Sequence, residues 1–152
     1  MKSKLTINQK ILLSGEAYKV IGIDSYILSN VVGGTQKWIS YTLLTDKKKK
    51  TWISYGAIKN YFIQWAVISE KKFKKEATIP LNINLSGLAN ISFIGDPGYS
   101  KPFAELFWFN VQNRKYDFLL IERFIRHDAN ELKILDSYYQ TGTILKDFRI
   151  ES

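Results

Sequence analysis

A four-residue phrase occurs twice in this chain: residues 38–41 and residues 52–55 both read Trp-Ile-Ser-Tyr. A charged run at residues 46–50 separates the two copies. Alternating side chains on both sides of a solvated turn predict two antiparallel strands joined as a hairpin. Within each copy, Trp and Ser share one face of the strand, whereas Ile and Tyr share the other. The repeat therefore favours a β-sheet protein.

Strand signals continue along the rest of the chain. Residues 16–23 are rich in β-branched and aromatic side chains, and Gly22 among them marks a bulge or a close approach of the backbone. A second aromatic hairpin spans residues 104–124, again around a basic turn. Residues 61–68 fit another strand, whereas an amphipathic helix over residues 57–68 is the alternative interpretation. This density of strands predicts an all-β, mainly antiparallel fold, either a β-sandwich or a partly open barrel.

The length of 152 residues fits one domain. We therefore interpret residues 1–152 as a single β-rich domain. The second hairpin has the same layout as the first, which indicates two similar halves at residues 11–68 and 79–145. Between them, residues 69–78 are rich in lysine and poor in apolar side chains, as is typical of a connector.

Composition excludes several kinds of chemistry. The chain has no cysteine and one histidine, so disulfides, thiolate metal sites and sites with two imidazoles are excluded. His127 belongs to the polar stretch 126–131, which we interpret as a turn between strands. No glycine-rich phosphate loop stands between a strand and a helix. We therefore predict no cofactor, no metal site and no catalytic residue.

The sequence also bears on location. No segment approaches the roughly 18 uninterrupted apolar residues that are needed to cross a bilayer. The first 13 residues begin with basic side chains, but their apolar run is too short and too interrupted for a signal peptide. We expect no membrane insertion and a cytoplasmic location.

The chain is basic, with a net charge of +8, so an anionic partner has to be considered. Lysines cluster at the first hairpin turn and in the connector. Such clusters are also typical of solvated loop tips, and large rings are typical of a core. The candidate binding surface combines the repeated aromatic residues with both clusters: Trp38, Tyr41, Trp52, Tyr55, Lys47, Lys48, Lys49, Lys50, Lys71, Lys72, Lys74 and Lys75.

Two carboxylates on the second hairpin form another candidate. Glu105 and Glu122 lie near its open side, where a pair of carboxylates could hydrolyse a glycosidic bond. The adjacent Arg123 offers a simpler interpretation, which is an exposed ion pair with no catalytic role.

Three functions are consistent with these patterns. The leading hypothesis is a non-enzymatic binding module whose partner is another protein, docked by strand addition on an exposed edge. The alternative is a nucleic acid or another polyanion, held by the lysines and an aromatic face. Carbohydrate binding or hydrolysis is the weaker alternative.

Residues 15–22, 38–44 and 51–54 resemble, in this order, the first half of the bacterial domain of unknown function family 4178. In that family an opening strand precedes a "W-x-E-Y-x-L" strand and a "W-L-S" strand. Its second half is similar to residues 89–95, 120–124 and 138–142. The resemblance spans about residues 11–145 and implies a β-rich fold without an established activity. Ser40 stands where the family pattern usually has Glu.

Overall fold

The computed structural model describes residues 4–31, 34–78, 82–93, 103–111, 115–128, 131–146 and 148–150. Ten strands and one helix follow one another in these residues. They are β1 (Lys10–Leu13), β2 (Glu16–Val31), β3 (Gly34–Leu44), β4 (Lys50–Tyr55), β5 (Phe62–Ile68), α1 (Glu70–Glu76), β6 (Asn82–Phe93), β7 (Phe103–Asn110), β8 (Phe118–Asp128), β9 (Glu131–Ile144) and β10 (Phe148–Ile150).

Eight of these strands close into an antiparallel barrel. Their order is β2-β3-β4-β5-β9-β8-β7-β6, and β6 returns to pair with β2. The strands β1 and β10 lie outside the barrel, where they extend the sheet from the first part of β2. The predicted all-β antiparallel class is confirmed. Of the two architectures expected, the barrel is correct, and it is closed rather than partly open.

Both predicted halves contribute strands to this one barrel. The pairing of β5 with β9 joins them on one side. The pairing of Asp24–Leu28 in β2 with Ala89–Phe93 in β6 joins them on the other. The helical interpretation of residues 57–68 is wrong, because β5 occupies most of that range and carries two barrel pairings.

Strand β2 contains the bulge that was predicted at Gly22. At this bulge the alternation of its inward and outward side chains is reversed. Its register against β3 shifts between Val20 and Gly22. Val20 packs in the cluster outside the barrel, whereas Tyr26, beyond the bulge, packs in the interior cluster. A Cβ atom at Gly22 would lie 3.5 Å from Thr42, which is an ordinary contact. The predicted bulge is confirmed, and it directs the second part of β2 into the barrel wall.

The repeated phrase divides its side chains between the two faces of the wall as predicted. Trp38 belongs to the interior cluster, and Trp52 packs against it. Ile39, Tyr41 and Ile53 belong to a second cluster on the outside. The N-terminal segment covers that outer cluster with Leu5, which is fully buried. The alternation therefore serves two cores, one on each side of the sheet.

The lysine-rich connector contains the helix α1. The Ser69 side chain accepts a hydrogen bond from the Lys72 backbone N–H at 3.1 Å, which caps the first turn. Phe73 is buried, and its ring centroid lies 5.0 Å from that of Tyr139 on β9. One aromatic side chain thus anchors the helix to the outer barrel wall, although the segment is poor in apolar residues.

The polar stretch 126–131 is mostly strand rather than turn. Strand β8 continues to Asp128, and β9 begins at Glu131, with His127 opposite Leu132. The interpretation of this stretch as a turn is therefore wrong for its first three residues and for Glu131, while residues 129 and 130 lie outside the described residues.

Candidate functional site

The barrel interior contains a cavity. Its volume is about 100 Å³. Seven of the eight barrel strands contribute to its lining, so it lies within the barrel rather than in a surface groove. The described lining residues are Asp24, Tyr26, Trp38, Ser40, Trp52, Ser54, Trp65, Val67, Leu106, Trp108, Leu120, Glu122, Phe124, Tyr138 and Gln140. We call this space the barrel cavity.

All four tryptophans of the chain line the barrel cavity. The Trp65 and Trp108 rings meet edge to face, with centroids 4.9 Å apart and planes at 85°. The Trp38 ring meets Trp108 in the same way at 6.3 Å and stacks on Tyr26 at 5.2 Å. Such contacts favour fixed ring orientations. The aromatic wall is therefore a closely packed assembly of rings.

A buried carboxylate, Glu122 on β8, is the centre of a hydrogen-bond network in this cavity. The Tyr26 hydroxyl donates to Glu122 Oε2 at 2.7 Å, and Gln140 Nε2 donates to Oε1 at 3.2 Å. Both carboxylate oxygens accept hydrogen bonds, which suits the ionised form. Glu122 is 9% exposed. Its side chain is thus held in one position at the cavity surface.

Further polar groups lie on the β2–β4 side. Asp24, also buried, is paired in register with Ser40, which in turn faces Ser54 on β4. The Ser54 hydroxyl accepts a hydrogen bond from Trp65 Nε1 at 2.9 Å. The serines of the two repeated phrases thus bring polar groups to the same wall, and one of them fixes the Trp65 ring.

The indole N–H of Trp108 stands out among these polar groups. Trp108 is 1% exposed, and its Nε1 atom has no hydrogen-bond acceptor among the described residues. A buried N–H without an acceptor costs about 1–3 kcal/mol. The Trp108 side chain lines the barrel cavity, so this unsatisfied donor belongs to the cavity wall.

The cavity reaches the surface near the end of β5. Val67 and Tyr138 line it and are also exposed, at 47% and 36%. The Tyr138 ring packs edge-on against Phe124, with centroids 5.8 Å apart. At this end of the barrel the cavity wall is therefore in contact with solvent.

The structure separates the aromatic residues of the candidate binding surface. Trp38 and Trp52 line the barrel cavity, but Tyr41 is fully buried on the outside, where its hydroxyl accepts from the backbone N–H of Leu5 at 3.2 Å. Tyr55, also outside, receives a hydrogen bond from Lys4 Nζ at 3.1 Å. The four rings do not form one exposed face, so a surface stacking platform of these residues is wrong.

The lysines of the candidate surface lie elsewhere. Lys49, at the β3–β4 hairpin, pairs with Glu16 at 3.4 Å. The hydrogen bond that the Lys49 ammonium group donates to this carboxylate raises the pKa of Lys49 above its ordinary value. Lys74 pairs with Glu70 one turn away on α1. None of the lysine side chains in either cluster lines the cavity. The hairpin cluster consists of Lys47, Lys48, Lys49 and Lys50, and the helical cluster consists of Lys71, Lys72, Lys74 and Lys75.

The candidate carboxylate pair is not brought together. Leu106 on β7 is opposite Glu122, whereas Glu105 is opposite Arg123. Neighbouring residues in a strand point to opposite faces, so Glu105 lies on the outer face while Glu122 lines the cavity. Arg123 forms an ion pair with Glu105 at 3.6 Å, so the expected pairing of Arg123 with its neighbour Glu122 is wrong. Glu122 is instead partnered by Tyr26 and Gln140.

Sequence reasoning missed Asp24, Tyr26 and Gln140 as site residues. Their common signal is a polar or amphipathic side chain on the inward face of a strand that otherwise buries apolar residues. Tyr26 and Glu122 are 96 residues apart in the chain. Only the closed strand order brings them together, and the sequence alone does not reveal that order.

No protein family model, no curated protein and no solved structure matches this chain. Within the described ranges, no group of three or more His, Cys, Asp or Glu residues is placed to hold a metal ion. In that same part of the chain, no helix has the length and apolar character needed to cross a membrane.

Proposed function

We propose that the protein is a non-enzymatic binding module whose barrel cavity holds a small molecule. The support is a preformed concave site with a mainly aromatic lining and a few fixed polar groups, which is the usual form of small-molecule sites. A small-molecule ligand thus takes the place of a protein partner as the leading hypothesis. A cytoplasmic location and membership of the resembling bacterial family stay predictions.

The buried N–H of Trp108 is the observation that carries this proposal. Native proteins satisfy most buried donors, and exceptions call for an explanation. Trp108 lies against Trp65, Trp38 and Phe118, so its ring cannot turn towards solvent without breaking these contacts. A ligand oxygen that reaches Nε1 would accept the hydrogen bond and offset the cost.

Binding can be tested with two small probes of the same shape. One is choline, and the other is dimethylbutanol, the neutral alcohol in which a carbon atom replaces the choline nitrogen. We expect at least one probe to shift the Trp108 indole resonance in the NMR spectrum of isotope-labelled protein, because each hydroxyl can accept from Nε1. Saturation of the shift gives the affinity.

The control for this titration fills the cavity. Ser40→Phe places a ring in the cavity, and we expect it to abolish the shift. Ser92→Phe makes the same change at an exposed position of β6 and should leave binding unchanged. Absence of any saturable shift with both probes, or equal binding to both variants, would contradict the proposal.

A protein partner remains a second candidate because one observation favours it. In the described part of the chain, β6 pairs with β2 only from Ala89 onward, so its first part pairs with β7 alone. Ile83 is 63% exposed there, and Leu88 is 56% exposed. Unpaired edges with apolar side chains favour strand addition. By contrast, β3 and β4 are paired on both sides, so the repeated strands offer no edge.

A second copy of the chain provides the test of this edge. We expect a reversible dimer at high protein concentration in sedimentation velocity, and we expect Ile83→Lys to weaken it, because a charged side chain opposes edge pairing. Tyr61→Lys, which makes the same change at another exposed apolar position, is the control. If the protein is a monomer at every concentration, the hypothesis that two copies pair through β6 is wrong. A polyanion partner stays a prediction that rests on the exposed lysines alone.

A further inference from the structure

We propose that the ligand of the barrel cavity is a small organic cation, an ammonium group on a short carbon chain that also carries a hydroxyl or carbonyl oxygen. This inference rests on the proposed function, and it adds the charge and the chemical class of the ligand. The charge balance of the lining, its aromatic side chains and the size of the cavity each support it.

The charge balance of the lining is opposite to that of the chain. The chain has a net charge of +8. The described residues that line the cavity nevertheless include two carboxyl groups, those of Asp24 and Glu122, and no lysine, arginine or histidine. Opposite charges in a cavity with low-dielectric walls attract more strongly than in water. The cavity therefore favours a positively charged guest over a neutral or negative one.

The rings around these carboxyl groups attract the same kind of guest. A cation within about 6 Å of a ring centroid is attracted by the ring quadrupole, most strongly by tryptophan. Trp38, Trp52, Trp65 and Trp108 all line the cavity, together with Tyr26 and Tyr138. Aromatic rings combined with carboxylates suit an ammonium group that carries alkyl substituents. Such a group has an apolar surface for the rings and a positive charge for the carboxylates.

The size of the cavity limits the ligand to a small group. Its volume of about 100 Å³ is somewhat below the roughly 150 Å³ of an engineered apolar cavity that holds benzene. A substituted ammonium head fits this space, whereas a whole nucleotide or an oligosaccharide does not. The acceptor oxygen in the proposed ligand follows from the Trp108 N–H.

The Glu122 carboxylate is prepared for such a charge. Its hydrogen bonds to Tyr26 and Gln140 hold it in place with neutral donors, so its position needs no rearrangement when a cation arrives. Preorganised groups bind more tightly because less side-chain freedom is lost. The same carboxylate would oppose binding of phosphate or of another anion.

The choline and dimethylbutanol pair isolates the charge, because the two molecules differ at one atom. We expect choline to bind at least about tenfold more tightly in isothermal titration calorimetry at low ionic strength, as is appropriate for a desolvated cation among aromatic rings. Glu122→Gln keeps the size of the side chain and removes its charge. We expect it to weaken choline binding by about tenfold and to leave dimethylbutanol binding nearly unchanged.

Two further variants keep the test decisive. Asp24→Asn removes the other carboxylate of the lining and should also weaken choline selectively, even if Glu122→Gln does not fold. Glu105→Gln removes a carboxylate from the outer face of the neighbouring strand and should change neither affinity. Equal affinity for the two probes would overturn the inference of a cation while the proposed small-molecule function stands. Choline selectivity that survives both cavity variants would also overturn it, and no binding of either probe would overturn both proposals.

Discussion

Replacing Trp108 by alanine is expected to lower the free energy of unfolding by about 3–5 kcal/mol. The side chain is 1% exposed and is among the largest that are fully buried. It meets Trp38, Trp65 and Phe118 edge to face, so its loss removes three aromatic contacts as well as buried apolar area. Total stabilities of about 5–15 kcal/mol are usual. The loss should therefore be plain in urea denaturation followed by far-UV circular dichroism.

Two other substitutions show whether packing is the cause. Trp108→Phe keeps a ring and removes the unsatisfied N–H, so we expect a smaller loss than for alanine. Trp52→Ala removes a tryptophan that is only partly buried, and we expect it to cost less than Trp108→Ala for that reason. A cost below about 1 kcal/mol for Trp108→Ala would mean that the interior is not packed around this ring.

The repeated phrase predicted more of the fold than any other feature. Its alternation assigned Trp and Ser to one face and Ile and Tyr to the other, and this is what the two clusters show. The period of two residues is a local property of a strand, so it can be read from sequence. Register is different. The repeat alone does not determine which residues lie opposite each other: Trp52 is paired with Thr42, and Trp38 with Tyr26.

Closure of the barrel was not predictable from the sequence for a physical reason. A strand with one apolar face and one polar face suits a sandwich or a barrel equally well. The two pairings that join the halves, β2 with β6 and β5 with β9, link residues far apart in the chain. Nothing in the local pattern distinguishes them from other pairings.

The site was predictable only in part for the same reason. Trp38 and Trp52 were named as candidates for binding, and they do line the barrel cavity. The ion pair expected between Glu122 and Arg123 does not form, because adjacent residues in a strand point to opposite faces of the sheet. The lysines attracted attention because they are clustered, yet clustering in sequence shows exposure rather than recognition.

Replacing Gly142 by alanine is the second change for which we expect a large effect. Gly142 on β9 is paired with Trp65 on β5. A Cβ atom at this position would clash with Cζ3 of the Trp65 ring and would lie 2.7 Å from Cη2. Trp65 cannot move away easily, because Ser54 holds its Nε1 atom and Trp108 packs against its ring. We expect thermal and urea unfolding to show a loss of about 1–3 kcal/mol, as is usual for overpacking.

Gly22→Ala is the matched control, since it also adds a methyl group to a glycine in the barrel wall. The added atom would have only ordinary contacts with Thr42 at 3.5 Å, so we expect a change within about 0.5 kcal/mol. The double variant Gly142→Ala with Trp65→Leu tests the mechanism, because the smaller side chain makes room for the methyl group. The two costs should then be less than additive, by about 0.5–3 kcal/mol. Additive costs would show that Trp65 does not pack over Gly142, and the aromatic wall of the cavity would need a different arrangement.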